Sequence, residues 1–358
     1  MEAVVLTGHG GFEKLEYRVA VPTPRPSRGE VLIRVRAAGV NNTDLNTRTG
    51  WYSKAVREGS SAGGSGFASV ESADATWTGT PMVFPRIQGA DVCGHIEQVG
   101  EHVDPGRIGE RVLVRTMLRA PVSYRPYECV ALGSERDGGF AQFVVVPADD
   151  TYAVRCDWTD AELASIPCAY STAENMLHRT GTGADTVLVT GASGGVGSAA
   201  VQLARARGAT VIAVASSAKA HDVRALGADT VVDRSADLRA VLGHDSVDVV
   251  VDVVGGSRWP QLLDVLKRGG RYAVAGAIAG PVVELDLRTL YLKDVTVFGC
   301  TFQEDAVFEH LISSIEAETI RPVVARTYPL RDIVVAQQDF LAKSFVGKLV
   351  LIPPQDDA

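Results

Sequence analysis

The stretch TGASGGVGSAAVQ, residues 190 to 202, sets a glycine cluster against a run of small and apolar residues. Such glycines either make an ordinary turn or let backbone N–H groups close on a phosphate. The flanks favour the second use. DTVLVTG before the cluster has the β-branched pattern of a buried strand. GSAAVQLARARG after it predicts a helix from Ser198 that ends at Gly208. Strand, glycines and helix in that order place a dinucleotide pyrophosphate at a helix N-terminus. Gly194 is assigned the tight turn, Gly195 and Val196 the N–H groups facing the pyrophosphate, and Gly197 the close packing of helix on strand. Ala192 stands where the usual GxGxxG has its first glycine, so the motif takes its weight from its context.

The end of the next strand reads the adenosine ribose. NAD sites place a carboxylate there, about 20 residues on. In TVIAVASSAKAHD that position is Ala215, and no carboxylate stands ready to repel a 2′-phosphate. Ser216, Ser217 and Lys219 follow at once, with hydroxyls and an ammonium suited to a phosphate. The predicted cofactor is therefore NADP(H). Val254, Val274, Gly276 and Thr301 fall at the C-terminal ends of predicted strands, where an α/β sheet binds its ligand.

These residues need a scaffold, and the chain changes character near residue 150. Before it, short β-rich runs such as GEVLIRVRAAGV, GERVLVRTM and GGFAQFVVVPA are punctuated by Gly and Pro, which suggests a barrel-like β domain. After it, strand and helix patterns alternate, which implies a doubly wound parallel sheet in an α/β chain. The tail ends in another strand, expected to return to the first domain. The predicted division is 1–152 with 321–358 for the β domain and 153–320 for the cofactor domain. Residues 53–82, rich in Gly, Ser and Ala, read as a long loop.

Composition bounds the rest. The 358 residues are 46% hydrophobic and 22% charged, a globular balance with length for two domains. A net charge of −8 argues against a nucleic-acid partner. No targeting pattern opens the chain, and apolar runs such as VDVVVDVVGG are too short and too charged to span a bilayer. The five cysteines are scattered with no CxxC pair, as expected of a reduced, cytoplasmic protein.

Six stretches, GEVLIRVRAAGVNNTDLNTRTGWY, IQGADVCGHIEQVG, GGFAQFVVVPA, IPCAYSTAENML, VLVTGASGGVGSAAVQLA and FVGKLVLIP, carry a resemblance that covers most of the chain. It resembles the medium-chain dehydrogenase/reductase superfamily, in its zinc-independent quinone oxidoreductase and enoyl reductase branch. The resemblance implies a GroES-like catalytic domain, a Rossmann cofactor domain, an active cleft between them and a homodimer in which VTVFGCTF pairs across the axis. Zinc-dependent members hold their metal with motifs GxCxTD and GHExxG and a later Cys. Here the first Cys position is Asn41, the His position Ala90 and the Glu position Asp91, and only Cys168 is kept. That set cannot supply three protein ligands, so no metal is expected.

Without a Lewis acid, hydride transfer needs an acceptor that delocalises the developing charge, such as a quinone or an α,β-unsaturated carbonyl. The protein then needs a hydrogen-bond donor for the oxyanion. Asn41 could donate through its amide, as the branch implies, or cap a helix, since NNTD is a run of capping residues. Asp44 carries the same ambiguity. Tyr52 in GWY matches a cleft tyrosine of the branch, as proton donor or as pocket wall. Thr172 matches a position beside the nicotinamide, and Lys348 in VGKLVL either approaches the pyrophosphate or is a surface charge. The reading is an NADPH-dependent enzyme reducing quinones or enones. Its rivals are an enoyl-thioester reductase and an NADPH-binding sensor with little turnover.

Overall fold

The structure is a computed structural model that describes residues 1–119 and 128–355. Six strands, Thr230–Asp233, Thr210–Ala215, Thr186–Val189, Val247–Asp252, Leu266–Val274 and Thr296–Gly299, lie side by side in that order. Every neighbouring pair is parallel. Side chains alternate with a period of two, and apolar residues on both faces suit a parallel sheet covered on both sides. Val187, Val189, Val249 and Val251 enter one core. Leu188 and Val250 enter the other. Helices Pro167–Arg179 and Gly195–Ala206 pack against the first core.

The strand order reverses between Thr186–Val189 and Val247–Asp252. A crevice opens there at the carboxyl ends, where such sheets bind ligands. Asp252 shapes its rim. The carboxylate is fully buried and accepts from the Thr190 hydroxyl at 2.5 Å, the Val254 N–H at 2.9 Å and the Tyr272 hydroxyl.

The other unit is built around the strand Glu30–Gly39. It pairs antiparallel with Cys93–Val99, with Phe143–Pro147 and with Lys348–Ile352. The last pairing brings the C-terminal chain back beside residues 38 and 39, and Val324–Pro329 lies parallel to it on the far side. Val31, Ile33, Val35, Val144, Val146, Leu349 and Leu351 share one core.

Residues 53–82 form an ordered loop with a single 3₁₀ turn, Ser60–Ala62. It is stapled to itself, with Lys54 N–H on the Asp74 carboxylate at 2.9 Å and Glu71 N–H on the Ser53 hydroxyl at 3.1 Å. Arg48, fully buried on helix Asn42–Thr49, donates to Gln337 at 3.0 Å, to the Gly10 carbonyl at 2.7 Å and to the Gly64 carbonyl at 3.3 Å. One guanidinium thus joins the helix, the N-terminal turn, the loop and the C-terminal helix Ile333–Ala342. Gly59 of the loop lies so close to the cofactor unit that a Cβ there would stand 2.5 Å from the Ile278 carbonyl.

Candidate active site

A buried polar knot stands where strand Glu30–Gly39 gives way to helix Asn42–Thr49. The Lys348 ammonium donates to the Asp91 carboxylate at 2.9 Å, to the Val40 carbonyl at 3.0 Å and to the Asn41 side-chain oxygen. The Asn41 amide donates to Asp91 at 2.8 Å, and Asp91 also accepts the Cys168 N–H at 2.6 Å. The Lys348 and Asp91 side chains are 3% and 0% exposed, so the pair is isolated from water. Such a pair stands only when its remaining donors and lone pairs are also satisfied.

This geometry bears out the capping reading of Asn41 and Asp44 over a place in the cleft, and it corrects both positions expected of Lys348. Asn41 occupies the position before the helix, but both ends of its amide are spent on Asp91 and Lys348, so it is not aimed at a substrate oxygen. Asp44 faces inward, accepting the Asn41 N–H at 2.8 Å and the Ala90 N–H at 3.2 Å. It clips the helix start to the neighbouring chain instead of reaching the cleft. Burial pushes its carboxyl up to about 7, with the backbone donation from Asn41 pulling the other way. Lys348 points its ammonium at Asp91 and lays only its aliphatic stem beside the glycine turn. A Cβ on Gly195 would stand 2.8 Å from Lys348 Cδ.

Thr43, Trp77, Thr116, Met117, Cys168, Thr172, Ala275, Cys300, Thr301 and Gln303 enclose a small cavity between the two units. Thr172 and Thr301 are thus placed together, with the Thr172 hydroxyl turned back to the Cys168 carbonyl at 2.7 Å. Tyr52 is half-buried and does not line the cavity. Its hydroxyl donates to the Thr43 hydroxyl at 3.2 Å, and the Trp77 indole N–H donates to the same oxygen at 2.6 Å. An indole nitrogen only donates, so Thr43 accepts there and its own proton remains to be given elsewhere. Burial raises the Tyr52 phenol above its ordinary range. Burial likewise raises the Cys168 thiol, which keeps it protonated. Sequence reasoning missed Thr43 and Trp77. Thr43 was covered by the capping run, and Trp77 lies in a segment without periodicity.

On the cofactor side, the helix starts at Gly195, three residues before the predicted Ser198, with Gly194 in extended conformation before it. The left-handed turn belongs to Gly191, at φ 58°, and not to Gly194. Gly197 has the role expected of it, since a Cβ there would collide with the Gly191 carbonyl and stand 2.7 Å from Ala192 Cα. Val196 packs against the core. Val254 and Gly276 lie just beyond strands Val247–Asp252 and Leu266–Val274, and Val274 ends the second of these.

The adenosine end departs from expectation in one respect. Ser217 gives both its N–H, at 2.9 Å, and its hydroxyl, at 2.5 Å, to Asp233 on the next strand. Ser235 binds the other oxygen of that carboxylate at 2.6 Å. These donors, the Ser217 hydroxyl first, hold the Asp233 carboxyl far below its usual range. Ser217 is therefore occupied, and Ser216 precedes it in extended conformation. Lys219 spends two of its three protons on the Lys343 and Phe345 carbonyls, each at 2.6 Å. Lys343 is the residue sequence reasoning missed here. Burial, then the charges of Lys219 and Lys348, pull its ammonium down to about 8.

A nicotinamide dinucleotide fits: the Gly191–Gly197 turn opens onto a helix N-terminus, and two ammonium groups stand near the end of the following strand. A catalytic zinc does not fit. Position 90 offers a methyl group, the Asn41 amide is spent, and Asp91 already holds an ammonium at 2.9 Å that would repel a divalent cation. Among the described residues, no three His, Cys, Asp or Glu side chains gather as a metal site.

Two family models match, the alcohol dehydrogenase GroES-like domain over residues 27–155 and the zinc-binding dehydrogenase domain over residues 195–317. The chain is 30% identical to an acryloyl-coenzyme A reductase of Metallosphaera sedula, covering 98% of this chain and 99% of the relative. It is 29% identical to a quinone oxidoreductase of Lama guanicoe, over 98% and 97% of the two chains. A crystal structure from Sinorhizobium meliloti 1021, described as an alcohol dehydrogenase, superposes with a TM-score of 0.86 at 47% identity, over 99% and 97% of the chains. The chain is an oxidoreductase of the medium-chain dehydrogenase/reductase superfamily, in its quinone oxidoreductase and enoyl reductase-like branch.

Proposed function

We propose that this enzyme uses NADPH, without zinc, to reduce a quinone or an α,β-unsaturated carbonyl. The observation that carries the reading is the Lys348–Asp91–Asn41 knot, which puts a buried ammonium among the residues a zinc site would need. NADPH supplies the hydride when bound. Gly191 to Gly197 and the helix N-terminus would hold its pyrophosphate, while Lys219 and Lys343 would hold the 2′-phosphate. Thr172, Val254, Val274, Gly276 and Thr301 would border the nicotinamide.

The developing oxyanion needs a donor that does not reorganise. Thr43 is that donor in this reading, because two neighbours already donate to its oxygen and orient its remaining proton. Tyr52 acts through Thr43 as a positioning residue. Its raised phenol stays protonated at neutral pH and continues to donate. The Asn41 knot fixes the start of the helix that carries Thr43.

The acryloyl-coenzyme A reductase relative favours a second reading, in which the acceptor is an enoyl thioester. The chemistry is the same and only the substrate differs. We also propose a homodimer. The edge strand Thr296–Gly299 leaves Val297 exposed, beside exposed Leu287, Tyr291 and Leu292. No helix among the described residues is long and apolar enough to cross a membrane.

NADPH oxidation with a benzoquinone, a 2-alkenal, an enone and a crotonyl thioester, each with and without a zinc chelator, tests the proposal. Chelator-insensitive turnover of the quinone or enone supports it, and thioester preference moves the enzyme to the second reading. Chelator-sensitive turnover, or oxidation of simple alcohols alone, overturns both.

A further inference from the structure

The cavity between the units encloses about 30 Å³. That holds roughly one water, whereas sites for small ligands span about 300–1,000 Å³. One wall of it is Trp77, carried on the 53–82 loop. Its half-buried indole lines the cavity with Thr43, Met117, Cys168 and Thr172, and its other neighbour is the Tyr52 ring, with centroids 4.9 Å apart. The indole N–H holds the Thr43 hydroxyl at 2.6 Å. Trp77 therefore occupies space immediately beside the hydroxyl that the proposed reaction uses as its donor.

The backbone on either side of Trp77 is fixed. The Thr76 hydroxyl donates to the Thr80 carbonyl at 2.9 Å, and Thr78 donates its N–H to the Glu135 carboxylate at 3.0 Å. Thr76 is 3% exposed. A side chain held on a pinned loop can rotate while the loop stays, and its hydrogen bond to Thr43 and its contact with the Tyr52 ring give it one favoured position. Farther back, the close approach of Gly59 to Ile278 and Ala279 keeps the loop against the cofactor unit.

We propose that Trp77 is the residue that sets the size limit of the acceptor, its indole packing on Tyr52 to close the acceptor end of the cleft over Thr43. The inference rests on the reading of this cleft as the acceptor site. A narrow acceptor reaches Thr43 after a small rotation of the indole, since the closed cavity holds roughly one water. Fused bicyclic acceptors must displace the indole, which breaks its hydrogen bond to Thr43 and its contact with Tyr52. Truncating Trp77 removes that obstacle and favours wide ligands over narrow ones.

The test uses two unreactive probes, phenol and 2-naphthol, titrated calorimetrically into the full-length protein saturated with NADP⁺. Wild type, W77F and W77A are compared after thermal unfolding has verified that each is folded. The ratio of 2-naphthol to phenol affinity should rise at least roughly tenfold in W77A, a discrimination typical of pocket shape. It should change less than about threefold in W77F, which keeps a ring over Tyr52. An unchanged ratio in W77A, or binding of neither probe by any variant, overturns the proposal. Failure of the functional reading shows separately, as absence of quinone and enone turnover in the wild type, because the probe ratio requires no turnover.

Discussion

Replacing Lys348 by Met removes the ammonium but keeps the stem that fills the space beside Gly195. Asp91, fully buried, then retains only the Asn41 amide at 2.8 Å and the Cys168 N–H at 2.6 Å. Its charge is left uncompensated, and the Val40 carbonyl loses its 3.0 Å donor. Breaking a buried pair in this way costs about 3–5 kcal/mol. At ~2–4 °C per kcal/mol for a domain of this size, the melting midpoint should fall by roughly 6–20 °C. D91N alone strands the ammonium and should cost a similar amount. The D91N/K348M double variant removes both charges, so its loss should be smaller than the sum of the singles by roughly 1–3 kcal/mol. Thermal and urea unfolding of the four proteins, followed by circular dichroism, measure this cycle. A K348M midpoint within about 2 °C of wild type would refute the reasoning. Strictly additive single variants would refute it too, since they would mean that the two groups do not interact.

Asp44, raised by burial from its ordinary 3.8 to about 7, contributes stability that is fully present below the lower value and lost as pH rises through the upper one. D44N should flatten that loss, so its deficit relative to wild type should shrink between pH 5 and pH 8 in urea titrations; an unchanged deficit contradicts the assignment. Lys343, at about 8, should lose its charge between pH 7 and pH 9. NADPH affinity should fall across that range while NADH affinity holds, and K343A should weaken NADPH by roughly tenfold, as for a lost charge-assisted hydrogen bond. G197A places a Cβ 2.7 Å from Ala192 Cα and against the Gly191 carbonyl. It should abolish measurable cofactor binding in a fluorescence titration, and retained affinity would show that helix and strand can move apart there.

The parts of this enzyme that follow local rules were legible in its sequence. The glycine cluster between a strand and a helix, the missing carboxylate at Ala215 and the alternation of strands and helices are all contiguous patterns. The parts that depend on distant contacts were not. Lys348 meets Asp91 across 257 positions of chain, and nothing in VGKLVL reports that partner. The same contact takes the Asn41 amide out of the cleft. Asp233 captures Ser217 from a neighbouring strand, in a register that only the folded sheet defines. Gly194 and Gly191 are equivalent by residue type, and φ alone separates them. Trp77 sits in a segment whose composition reads as filler, yet its indole is fixed by Thr43 and Tyr52, both outside that segment. Asp44 showed its capping chemistry but not the burial that shifts its carboxyl.

In the proposed reaction, hydride reaches a conjugated acceptor with no metal taking part. The most direct measurement uses enzyme stripped of metal, with zinc content checked by mass spectrometry, and NADPH carrying deuterium at the transferred position. An enone is the acceptor. Turnover should be undiminished, and the product should be a saturated ketone with deuterium at its β-carbon. Turnover that vanishes on stripping and returns with zinc, or deuterium on the carbinol carbon of an alcohol product, would contradict that reaction.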